Sequence, residues 1–166
     1  MMHCRTIKES DWPSILRIQQ ECYGEEIQET LAALQSRWHL SPNACFVAET
    51  ENTLIGYALS HPWKDQDVPT LDIPLQTLSG NDLLYVHDLA VSTSGRGSGA
   101  AALLVNAVTS SAMTGNLCTM ALTAIQGSTV FWETYGFQVA DYHGDLKGYG
   151  DGAAYMKRTL NNVSLV

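Results

Sequence analysis

Basic residues are scarce in this chain of 166 residues: nine Lys and Arg stand against seventeen Asp and Glu, a formal net charge of −8. Such a field repels polyanions, which argues against nucleic acid or an acidic membrane as a partner. Long apolar runs are also missing. The stretch 100–105 is typical of the longest, far short of the roughly 20 residues that span a bilayer. Cys4, Cys22, Cys45 and Cys118 are scattered singly, with no C-x-x-C pair, and no two histidines lie three or four positions apart. The usual zinc and redox-couple signatures are therefore absent, and no metal is expected. Met1-Met2-His3-Cys4-Arg5 begins no signal-peptide pattern, so the expected location is cytoplasmic.

What is present is an ordinary globular composition, 45% hydrophobic and 16% charged, over a length that suits a single domain covering 1–166. Residues 4–7 alternate weakly as a strand, and Asp11 with Pro13 marks the start of a helix running to about Tyr23. A second helix carries Ile27, Leu31, Leu34 and Trp38 at helical spacing and ends at Pro42. Runs 44–50 and 54–61, joined by Glu51-Asn52, read as an antiparallel hairpin. Residues 63–80 carry Pro69, Pro74 and several Asp, and read as a long irregular connection of the kind retained for function.

The pattern then becomes strand, glycine turn, helix: 83–91, 94–99 and 100–112, the last with Leu104, Val108 and Ala112 four residues apart. A strand over 117–124, a short helix from Ser128 to Tyr135 stopped by Gly136, and strands over 138–142 and 153–160 close an α/β chain. At the glycine turn, Arg96-Gly97-Ser98-Gly99-Ala100-Ala101 has the form R-x-x-G-x-A. Small residues where a strand hands over to a helix let main-chain N–H groups approach a pyrophosphate, and the helix dipole favours its charge. The motif is neither a G-x-G-x-x-G fingerprint nor a Walker loop, because no Lys-Ser/Thr follows.

Leu89-Ala90-Val91 lies just upstream, and Phe131-Trp132-Glu133-Thr134-Tyr135-Gly136-Phe137 follows downstream. In that order the three motifs resemble the GNAT superfamily of acyl-CoA-dependent N-acyltransferases, most strongly over 83–140. The resemblance implies a twisted mixed α/β sheet flanked by helices and splayed between its fourth and fifth strands. Pantetheine would insert there like a missing strand, with acetyl-CoA as co-substrate. It further implies that Leu89-Ala90-Val91 pairs with pantetheine through the main chain of Leu89 and Val91. Gly97, Ser98, Gly99, Ala100 and Ala101 would hold the pyrophosphate by N–H groups, with Arg96 on a phosphate or left as a solvated loop cation.

An amine arrives protonated and must lose a proton before it attacks a thioester. Period-two geometry puts Leu83, Tyr85, His87 and Leu89 on one strand face and Val86, Asp88 and Ala90 on the other. His87 is thus the candidate general base or water-orienting group, unless it only holds a structural hydrogen bond. Asp88 is expected to orient a neighbour. The resemblance places a thiolate-protonating Tyr where this chain has Trp132, whose indole N–H has no useful acidity. Tyr135, one turn on, is the candidate replacement, unless it packs in the core.

Ile125 stands where many members have an Asn that contacts coenzyme A, and Ser128 either replaces that contact or only starts the helix. Glu25, Glu26, Glu29 and the acidic 63–80 loop fall in segments that line the acceptor site in the family. Their charge suits a cationic amine or simple solvation. The expected activity is acetyl transfer to a primary amine, small or peptidyl, by direct attack in a ternary complex. An acyl-CoA-binding or sensing module is the alternative, and a homodimer stays open.

Overall fold

The alternating stretches pair into one seven-stranded mixed sheet in a computed structural model, which describes residues 1–161; positions 162–166 of the expected domain lie outside the described residues. The strands are β1 (Met2–Thr6), β2 (Cys45–Thr50), β3 (Thr53–Trp63), β4 (Leu83–Val91), β5 (Thr119–Ala124), β6 (Gln138–Val139) and β7 (Ala154–Thr159). Their order across the sheet is β1-β2-β3-β4-β5-β7-β6. Only β4 and β5 run parallel, and the other neighbours are antiparallel. The β2–β3 turn takes left-handed φ at both Glu51 (49°) and Asn52 (65°), as a two-residue hairpin matched to strand twist requires.

Among the described residues four α-helices cover the sheet: α1 (Trp12–Cys22), α2 (Leu31–Leu40), α3 (Ala100–Thr114) and α4 (Thr129–Glu133). On one face Ile15, Ile18 and Leu34 of α1 and α2 pack with Val47, Tyr57 and Leu59 of the strands. On the other, Leu104, Val105 and Val108 of α3 and Trp132 of α4 pack on Leu84, Val86, Met120 and Leu122. The i, i+4 series expected of α3 is its buried stripe: Leu104, Val108 and Ala112. Burying a leucine this completely makes truncation to alanine cost about 2–5 kcal/mol.

Three sequence expectations shift. Asp11 precedes α1, but its carboxylate is taken by Arg5 at 2.8 and 2.9 Å and by the Lys8 N–H at 2.7 Å. The second helix begins at Leu31, capped by Thr30, whose hydroxyl accepts from the Ala33 N–H, so Ile27 falls in the preceding loop. The strand expected over 138–142 shrinks to two residues because Gln66 bonds the main chain of Asp141 and His143 and draws this segment toward the 64–82 connection.

The register of β3 on β4 carries a bulge. Leu59 pairs with Asp88 and Ser60 with Val86, which leaves His87 as the extra residue. A bulge reverses the alternation beyond it. Accordingly Leu84 and Val86 before it, and Leu89 and Val91 after it, all pack toward the α3 core. Tyr85 and Ala90 belong to the opposite face. The expectation that His87 and Leu89 share a face is therefore wrong, and Asp88 lies on the side of His87 rather than with Val86.

Candidate active site

The β4–β5 ladder runs through Leu84, Tyr85 and Val86 against Met120, Ala121 and Leu122, and among the described residues it ends there. Past Val86 the strands diverge. The Ser92 N–H bonds the Ile55 carbonyl on β3 at 2.8 Å, so by the alternation of an antiparallel ladder Leu89 and Val91 turn their main-chain groups to the open side. Two side chains at the end of α1 reach those groups. The Cys22 thiol donates to the Val91 carbonyl at 3.2 Å, and the Tyr23 hydroxyl lies 3.0 Å from the Leu89 carbonyl. Leu89, Ala90 and Val91 all line a cleft of about 640 Å³ that opens along this edge.

Gly97 (φ 79°) and Gly99 (φ 92°) stand in the left-handed region that glycine adopts without strain. A Cβ built on Gly97 would meet nothing within 4 Å, and one on Gly99 only the Met2 methyl at 3.7 Å. The turn thus offers bare backbone to open space at the start of a 15-residue helix, where unpaired N–H groups and the dipole favour an anion. Gly97, Gly99, Ala100, Ala101 and Arg96 line the cleft. Ser98 does not: its hydroxyl donates to the Gly95 carbonyl and accepts from the Ala100 N–H at 3.3 Å, bracing the turn from outside.

The opposite end is assembled from four segments. Gln19 on α1 clamps the main chain of residue 29, donating to the Glu29 carbonyl at 3.1 Å and accepting from its N–H at 2.8 Å. One Glu29 carboxylate oxygen accepts from the Asp72 N–H at 2.8 Å, and the other lies 2.7 Å from His87 Nε2. The pair is almost wholly enclosed, with side-chain exposures of 0% for His87 and 4% for Glu29. Burial alone would raise the Glu29 carboxyl, but the His87 charge and hydrogen bond, the Asp72 N–H and Arg37 together pull it down to about 2.

His87 Nδ1 and His61 Nε2 are buried without a hydrogen-bond partner among the described residues, with the rings 6.3 Å apart. Burial above all, with His87 nearby, lowers His61 to about 3. Asp88 accepts from the Tyr57 hydroxyl at 2.6 Å and from Tyr23 at 2.8 Å. Burial pushes it up to about 6 against these hydrogen bonds and the His87 charge. Ile27, Leu71 and Tyr149 complete this end of the wall.

Trp132 and Tyr135 both line the cleft as well. Trp132 is buried, its ring edge-on to Phe137 at 5.5 Å, whereas Tyr135 is half-buried with its ring 5.3 Å from Phe131. Ser128 lines the cleft as the residue preceding α4, but its hydroxyl accepts from the Ile125 N–H at 3.2 Å. Sequence reasoning flagged Glu29 and the loop carrying Asp72 only as acids among several and did not single out Tyr23 or Tyr149. Nothing local marks them, because each acquires its place through contacts with distant segments. Among the described residues no group of three or more His, Cys, Asp and Glu is placed to hold a metal ion, and no helix is long and apolar enough to cross a membrane.

A family model described as the acetyltransferase (GNAT) family matches residues 12–150. The chain belongs to this family. Solved structures share the fold. Ard1 from Thermoplasma volcanium aligns at TM-score 0.76 and 17% identity over 96% of this chain and 98% of its own. The loading GNATL domain of CurA from Lyngbya majuscula aligns at 0.78 and 12% over 96% and 98%. A chain of the NatC complex bound to Gag peptide and CoA aligns at 0.73 and 18% over 96% and 99%. A comparison with curated protein sequences finds no match. The parallel β4–β5 pair that parts after Val86 is the GNAT arrangement expected from the sequence motifs.

Proposed function

We propose that this GNAT protein is an acyl-CoA-dependent N-acyltransferase that moves an acetyl group to a primary amine by direct attack in a ternary complex. The observation that carries the reading is one cleft with an anion cradle at the start of α3 and a buried Glu29–His87 pair at its other end. The open space over Gly97 and Gly99 and the free edge of β4 suit acetyl-CoA, which supplies the thioester. Arg96 and the N–H groups of Gly97, Gly99 and Ala101 would hold the pyrophosphate. Ala100 would join once its N–H leaves Ser98. The main chain of Leu89 and Val91 would take pantetheine in place of Tyr23 and Cys22.

The Glu29 carboxylate, held at about 2, draws the ammonium into place rather than keeping its proton, which leaves to water in the open cleft. Of the phenols that line the cleft, Tyr23 is held by Asp88 and Leu89 and Tyr149 by the Pro69 carbonyl, so Tyr135 is the one we assign to return a proton to the departing thiolate. Cys22 is a poor acyl acceptor, because burial raises its thiol against the Arg96 charge. The test is thiol release from acetyl-CoA with and without a panel of primary amines. Release that requires an amine supports the proposal, and binding of acetyl-CoA without release points to a sensing module.

A further inference from the structure

We propose that the acceptor is a primary amine with no carboxylate on the carbon that bears the amino group, because among the described residues the Glu29 end of the cleft offers an anion to an ammonium and no free cation to a carboxylate. This rests on the N-acyltransferase reading and narrows it. Among the described residues that line the cleft, Arg96 is the one Lys or Arg, and it belongs to the cradle at the far end. Arg37 is close enough to act on the charge of Glu29, but it is fully buried. Its terminal guanidinium nitrogens donate to the carbonyls of Ala33 at 2.9 Å, Ile73 at 3.0 Å and Thr70 at 3.4 Å, its Nε has no partner among the described residues, and the side chain does not line the cleft. His87 is committed to Glu29 and enclosed.

An amino acid entering amine-first would therefore bring its carboxylate beside Glu29 and Asp88 with nothing to pair it. Like charges brought together in a desolvated site cost several kcal/mol. An aminoalkyl compound or the N-terminus of a polypeptide brings the same ammonium without that cost, and Ile27, Leu71 and Tyr149 give its substituent an apolar wall.

The test compares kcat/KM for 2-phenylethylamine and phenylalanine, with acetyl-CoA saturating and CoA release as the readout. The more basic amine belongs to phenylethylamine, so ease of deprotonation alone would favour the amino acid. The structure calls for a preference of about 10²-fold or more for the compound without the carboxylate. A phenylalanyl peptide blocked at its carboxyl end, run as a third arm, distinguishes polypeptide N-termini from small amines, and acceptance of either supports the proposal.

Leu71→Arg, which puts a cation in the acceptor wall, should shrink the preference at least tenfold. Phenylalanine acetylated as well as or better than phenylethylamine would overturn the inference while leaving N-acyl transfer intact. If no amine of any kind is acetylated although acetyl-CoA binds, the N-acyltransferase reading itself falls, and the inference with it.

Discussion

Tyr57 and Tyr23 hold the Asp88 carboxylate in a buried position at the cleft wall, where burial lifts its ionisation from 3.8 to about 6. Folding therefore takes up a proton between those values, and this residue's contribution makes stability fall as pH rises from about 4 to about 6. Asp88→Asn should flatten that part of the profile by on the order of 2–3 kcal/mol, read from urea unfolding at a series of pH values. A profile unchanged in the variant would show that Asp88 ionises normally. Glu29 acts with the opposite sign: held at about 2, it contributes stability above the ordinary glutamate range that is lost as pH falls toward 2. Tyr135→Phe removes one hydroxyl facing the cleft. It is expected to lower kcat at least tenfold with acetyl-CoA affinity nearly unchanged, and an unaltered kcat would make Tyr135 a packing residue.

The punctuation of the elements was legible because it is local. The I′ turn at Glu51-Asn52, the glycine turn before α3 and the Gly136 stop sit within a few residues of what they control. The β4 bulge was not legible, because His87 becomes the extra residue only when β3 pairs with β4, and nothing in the Val86-His87-Asp88 run signals it. The limits of α2 failed for a related reason. Ile27 keeps helical spacing with Leu31, but Thr30 caps the helix after it while Gln19 clamps residue 29 in the loop. The cradle belongs to this scale too. Gly99→Glu puts a side chain and a negative charge where a phosphate must approach, at a φ of 92°. The stabilisation given by acetyl-CoA, measured against the variant's own unliganded melting temperature, is expected to vanish. A retained shift would move the pyrophosphate site elsewhere.

Across the whole molecule, the glycine-turn half of the candidate cleft could be located from sequence and the Glu29 half could not. Leu89 to Ala101 is one continuous stretch, so its motif travels intact. Glu29, Asp72, His87 and Tyr149 come from four segments brought together by the two helical layers and the 64–82 connection, and no spacing encodes that meeting. A ligand that spans the cleft and binds only the folded chain should stabilise it by about 2.7 kcal/mol at 100 times its Kd. For a chain of this size that corresponds to a rise in Tm of about 5–10 °C. No shift at saturating acetyl-CoA would count against the cleft as its site.

The most direct test is the initial rate of CoA release with acetyl-CoA and a reactive amine both varied. Direct attack in a ternary complex requires double-reciprocal lines that intersect, no release without amine, and an N-acetylated product by mass spectrometry. Parallel lines with an acetylated Cys22, or release that ignores the amine, would contradict it.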